Sequence, residues 1–192
     1  KLQQYTSVEQ TSKGSQVLKW FKKQLGGPSI ADDSVFEDKT GTDEVSLVSL
    51  TISSITTEVG GPPSERPAIL VRSGHLRLEK VEIRCENGHG IVLEGESAEL
   101  TTRASRIIQV RGSGLFLRAR AQATLASTAI IKSKESGIDG QGHTSIRLMD
   151  CDISNNQRIG IQVGFKSQLI AYHTVICGNH FEGLWMNNQS TG

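Results

Sequence analysis

Apolar residues recur along this chain at two spacings at once. Within short segments they alternate with polar residues, which is the period of a strand. Over longer distances the segments themselves recur. Six of them align: Ala68-Ile69-Leu70-Val71, Gly90-Ile91-Val92-Leu93, Gly114-Leu115-Phe116-Leu117, Gly137-Ile138-Asp139-Gly140, Gly160-Ile161-Gln162-Val163 and Gly183-Leu184-Trp185-Met186. Their starts lie 22, 24, 23, 23 and 23 residues apart. The second position is always Ile or Leu, and the fourth is apolar in every copy but Gly140. The third varies freely. Positions two and four are therefore expected inside, and position three outside. The glycine that heads five of the six copies suits a tight corner or a positive φ.

Each repeat carries two further alternating runs. One comprises Leu76/Leu78, Ala98/Leu100, Ala123/Leu125, Ile146/Leu148 and Leu169/Ala171. The other comprises Val81/Ile83, Thr128/Ile130, Cys151/Ile153 and Thr174/Ile176, with a less regular counterpart near Ala104 to Ile107. About 23 residues per repeat is too little chain for a strand-helix-strand crossover. It suits one rung of three short strands. The pattern predicts an all-β, right-handed parallel β-helix of about six rungs over residues 44–192. Asn87, Asn156 and Asn179 precede their glycines by three or four residues and are expected at polar corners that tolerate left-handed backbone.

The repeat resembles the parallel β-helix superfamily with the pectin-lyase-like fold, over roughly residues 45–192. That group includes pectin-degrading enzymes, phage tailspikes and the carbohydrate-binding or sugar-hydrolase-type repeats of some eukaryotic proteins. The resemblance implies the fold far more strongly than an activity, because one solenoid hosts many.

Residues 1–43 break the pattern and form a separate N-terminal unit. Within it, 15–25 reads as a short amphipathic helix, with Val17, Leu18, Phe21 and Leu25 on one face and a Gly26-Gly27-Pro28 stop. A helix here is expected to cap the first rung or to dock on a partner. Residues 28–43 read as a linker, and 60–67 as a loop between the first two rungs. The chain has no initiator Met, and no cap follows the last repeat, so a larger assembly or a longer chain is expected.

Composition refines this picture. Only 36% of residues are hydrophobic and 5% aromatic, which a thin layered core tolerates better than a compact globule. A net charge of +1 gives no electrostatic case for nucleic acid. No apolar run has the length of a membrane span. Three cysteines at unrelated spacings do not form a disulfide framework; reduced thiols packed as small hydrophobes, in a cytoplasmic or organellar setting, are expected.

Candidate chemistry is sparse. The segment Cys85-Glu86-Asn87-Gly88-His89-Gly90 resembles the Gly-His-Gly segment of polygalacturonases, which implies an active-site role for His89. That chemistry also needs paired carboxylates, and the preceding rung, Pro67 to Val71, carries none. Asp150 and Asp152 flank Cys151 and are expected on one outward face. Ser127 and His173 should lie on either side of Asp150. The order is wrong for a nucleophilic triad, in which His stands between Ser and the acid. His89, Ser127, Asp150, Asp152 and His173 therefore form an alternative carbohydrate or weak metal site. No nucleotide-binding loop, nucleophile elbow, zinc-helix motif or CxxC pair is present.

The outward third-position column is more informative: Leu70, Val92, Phe116, Asp139, Gln162, Trp185. Four of its six members are apolar, so it is the candidate contact surface. Beside it, Arg72, Glu94 and Arg118 should alternate in charge. The expected function is a non-catalytic structural or protein-interaction module, with no assigned catalytic residue, metal or cofactor. A carbohydrate-binding or polysaccharide-modifying domain is the alternative.

Overall fold

The computed structural model describes residues 44–49, 51–54 and 67–192. The expected helix at 15–25, the linker at 28–43 and most of the 60–67 loop lie outside them. The described residues form eighteen short strands and no helix. They build three parallel sheets of six strands each. The first holds β1 (Glu44–Val48), β4 (Gly74–Glu79), β7 (Ala98–Arg103), β10 (Gln122–Ala126), β13 (Ser145–Met149) and β16 (Gln168–Tyr172). The second holds β2 (Thr51–Ser54), β5 (Glu82–Cys85), β8 (Arg106–Val110), β11 (Ala129–Ile131), β14 (Asp152–Ser154) and β17 (Val175–Cys177). The third holds β3 (Ile69–Val71), β6 (Ile91–Glu94), β9 (Leu115–Arg118), β12 (Ile138–Gln141), β15 (Ile161–Gly164) and β18 (Leu184–Met186). Each strand pairs with the strand one turn away, so the chain winds as a parallel β-helix.

Stacking, more than sequence distance, buries the core. Ile69, Ile91, Leu115, Ile138 and Ile161 form one inward column of the third sheet, each 0% exposed. Each such side chain contributes about 1.5–3 kcal/mol relative to exposure. Leu184 continues the same column in β18 but is 45% exposed, because β18 has a neighbour on one side only.

The first-sheet runs follow the expected alternation, with Ala171 exposed on the last turn. In β7 the inward run is one member longer. Leu76 and Leu78 align with Leu100 and Thr102, so Ala98, Leu100 and Thr102 all point inward. The corner before β7 is longer: six residues separate Leu93 from Leu100, against four between Val71 and Leu76. Ala98 lies opposite Gly74. Thr102 enters the core because its hydroxyl has a partner. Thr128 donates to the Ala126 carbonyl at 2.9 Å, which leaves its Oγ1 to accept from Thr102 at 2.8 Å. The second-sheet run that looks irregular in sequence is in register as Ser105/Ile107, with a buried serine as its first inward residue, and the irregularity follows it. The register slips between Ile83 and Cys85, where β8 bulges at Gln109 (φ 54°).

The glycine column works by close approach and not by a positive φ. A β-carbon on Gly114 would lie 2.2 Å from Ile130 Cγ2 and 2.8 Å from the Gly137 carbonyl. Gly90, Gly137 and Gly160 face the next glycine's carbonyl in the same way, at 2.5–2.6 Å. The left-handed residues sit elsewhere. Lys132, Asn155 and Gly178 turn the corner into the third sheet. Asn156 and Asn179, one residue later, are the ladder beneath it. Asn156 Oδ1 accepts the Ser133 N–H at 2.9 Å, and Asn179 Oδ1 accepts the Asn156 N–H at 3.0 Å. Asn156 also donates from Nδ2 to Asn179 Oδ1 at 2.9 Å.

Cys85 and Cys151 are buried as expected, whereas Cys177 is exposed. Burial pushes the Cys151 thiol above its ordinary pKa, so it stays protonated and donates weakly to the Met149 carbonyl.

Candidate functional site

The corner between the first and second sheets repeats one device. A residue with positive φ turns the chain: Lys80, Ala104, Ser127, Asp150 and His173. In all but His173, on the last turn, its N–H donates to the last first-sheet carbonyl of the next turn, as Ser127 does to Met149 and Asp150 to Tyr172. The residue after it points inward. There Ser105, Thr128 and Thr174 each donate to the carbonyl two residues back, at 2.9–3.0 Å.

Ser127, Asp150 and His173 are thus consecutive steps of a solvated corner. His173 Nδ1 lies 3.5 Å from Asp150 Oδ1, with side chains 86% and 57% exposed. An ion pair this exposed is worth little. Asp150 and Asp152 are both exposed on either side of Cys151, from different settings. Cys151 does point inward, but Asp150 stands on the corner while Asp152 opens β14, between Ala129 and Val175.

The outer face of the third sheet is different. The ladder register places Leu70, Val92, Phe116, Asp139, Gln162 and Trp185 in one unbroken column. At about 4.8 Å per step this column runs roughly 24 Å. Val92 is buried, Trp185 is 38% exposed, and the other four are half-buried. Alongside it, Glu94 pairs with Arg72 at 3.8 Å and with Arg118 at 2.7 Å, which is the expected charge alternation.

The structure also brings His89 to this face, apart from Ser127, Asp150, Asp152 and His173, with which it was grouped in the sequence. Its ring stacks on Phe116, with centroids 5.1 Å apart and planes 18° apart. Nδ1 accepts the Ser113 N–H at 2.9 Å, which puts the ring proton on Nε2. A β-carbon on Gly112 would lie 2.6 Å from Nδ1, so the imidazole can sit there only because residue 112 is glycine.

Asp139 is the column's single carboxylate. Burial holds its carboxyl above the ordinary value. The Gln141 hydrogen bond and the charge of Arg158 work the other way, while Glu135 adds to the rise. Gln141 donates from Nε2 to Asp139 Oδ1 at 2.7 Å. The sequence reading overlooked Gly112, Ser113, Glu135, Gln141 and Arg158. Gln141 was legible, because two residues along a strand share a face. The others act from corners whose register follows from no simple period. Among the described residues, no group of three or more His, Cys, Asp or Glu side chains is placed to hold a metal ion.

A family model described as a right-handed beta helix region matches residues 39–192. No curated protein matches the chain. No solved structure matches it either.

Proposed function

The chain belongs to the right-handed β-helix family, and from that premise we propose that it is a non-catalytic binding module whose third-sheet outer face docks a protein partner in a larger assembly. One observation carries this reading: six outward side chains, four of them apolar, stand in register on one sheet. A partner laid along that face would cover Phe116 and Trp185, the aromatic side chains that most often dominate contact energy. The column carries one carboxylate, so it offers no acid-base pair of the kind glycoside cleavage requires.

The test is recovery of the tagged protein from its native source, as wild type and as the Phe116→Ala/Trp185→Ala double variant. Partners retained by the wild type and lost by a folded double variant support the reading. Unchanged retention by the double variant would contradict it.

One observation favours a carbohydrate-binding module instead. The stacked His89–Phe116 pair lies beside the hydrogen-bonded Asp139–Gln141 pair, an aromatic plate next to polar groups. A glycan array distinguishes the two: a glycan signal that His89→Ala abolishes, without protein partners, would replace the docking reading.

A further inference from the structure

We propose that Asp139, Gln141 and Asn187 form a proton-controlled relay on the outer face of the third sheet, in which protonation of Asp139 turns the Gln141 amide. Gln141 sits between two acceptors. Its Nε2 donates to Asp139 Oδ1 at 2.7 Å. Its Oε1 is buried without a hydrogen-bond partner, and so is Asn187 Oδ1. Both oxygens close over Gly164, 2.9 Å and 2.6 Å from the position its β-carbon would occupy. A side chain at residue 164 would keep them apart. Two buried acceptors thus face one gap with no donor between them, an arrangement that disfavours itself.

One proton removes the conflict. A protonated Asp139 donates its O–H and needs an acceptor. Turning the Gln141 amide offers it Oε1 and swings Nε2 toward Asn187 Oδ1. Asp139 then donates to Gln141, and Gln141 donates to Asn187. The proton comes from solvent, and no other atom is gained or lost. Burial of Asp139 favours the same state. Arg158 opposes it through its positive charge, as His89 would only with its ring protonated, and Glu135 supports it. The ladder neighbours Phe116 and Gln162 are uncharged. Protonation leaves the outer column without a charge, so docking of an apolar surface would take up a proton. That consequence rests on the docking reading; the relay does not.

The alternative is a fixed clasp, in which the Asn187 amide turns and donates to Gln141 Oε1 while Asp139 stays charged. NMR titration of the full chain separates the two without any partner. The relay requires the Asp139 carboxyl carbon and the Gln141 side-chain amide to titrate together, with a midpoint above the ordinary carboxylate value. Asn187→Ala should lower that midpoint, because the acid form loses its terminal acceptor. A Gln141 amide that ignores the Asp139 titration, or a midpoint that rises or stays put in Asn187→Ala, would overturn the relay. Asp139→Asn is the second probe, since its amide can donate as the protonated acid does. Its Gln141 amide signals should match the wild-type acid form at neutral pH and stay there on titration. Signals matching the neutral wild type would contradict the relay.

Discussion

The first corner and the third-sheet face are built from the same repeat, yet their outward residues live in different physical settings. At the corner, Ser127, Asp150 and His173 turn the backbone with positive φ, and the side chains of the latter two are solvated. On the face, Phe116, Asp139 and Gln162 are half-buried, and one charge lies among apolar and amide neighbours. Vertical alignment of chemically suggestive residues is thus no evidence of a site in a solenoid, because every position aligns with something. Partial burial, fixed side-chain geometry and unpaired polar atoms separate the face from the corner.

That contrast can be broken at several points. The largest effect is expected at the glycine column that sets the face. Gly114→Ala should cost about 3 kcal/mol in chemical denaturation, because its β-carbon meets Ile130 and the Gly137 carbonyl. Ser127→Gly at the corner should be neutral or stabilising by up to about 1 kcal/mol, since glycine accepts φ 46° without strain. Equal losses at the two positions would erase the distinction.

Next comes the ladder beneath the face. Asn156→Ala leaves the Ser133 N–H without its acceptor and should cost about 2 kcal/mol by the same assay. A smaller effect concerns Asp139 and has a defined sign. Its carboxyl titrates higher in the folded chain than in the unfolded one, so the folded state binds the proton more tightly. Asp139 therefore stabilises the fold fully only below the ordinary carboxylate pKa. That contribution is lost as pH rises through the raised folded value. Asp139→Asn should raise the melting temperature at neutral pH, and the gain should vanish in acid. A gain independent of pH would remove burial of charge as its cause. The smallest effect is at the corner: Asp150→Ala should shift stability by less than about 0.5 kcal/mol at any pH.

Most of the fold was legible in the sequence because a solenoid writes its core as two nested periods. The inward columns headed by Ile69 and Leu76 follow directly from them. The errors fall where a corner changes length. Thr102 joins Ala98 and Leu100 inside β7, in register with Leu78, because the corner before β7 is longer than that before β4. The Thr102 hydroxyl is accommodated there because Thr128 supplies its partner. The outer column was legible too, since register carries it from strand to strand. The relation of His89 to Phe116 was not, because a corner side chain folding back onto the sheet depends on Gly112 leaving it room. The Gln141–Asn187 approach was equally hidden, as it spans two turns across Gly164.

Hydroxyl-radical footprinting of the native complex tests the docking face most directly, because the chain carries oxidisable aromatic residues both on and off it. Trp185 lies on the third-sheet face, while Tyr172, 62% exposed, ends a first-sheet strand. The account predicts that complex formation protects Trp185 and Phe116 and leaves Tyr172 as reactive as in the free chain. Protection of Tyr172 with unchanged oxidation of Trp185 and Phe116 would place the contact on another face and contradict it.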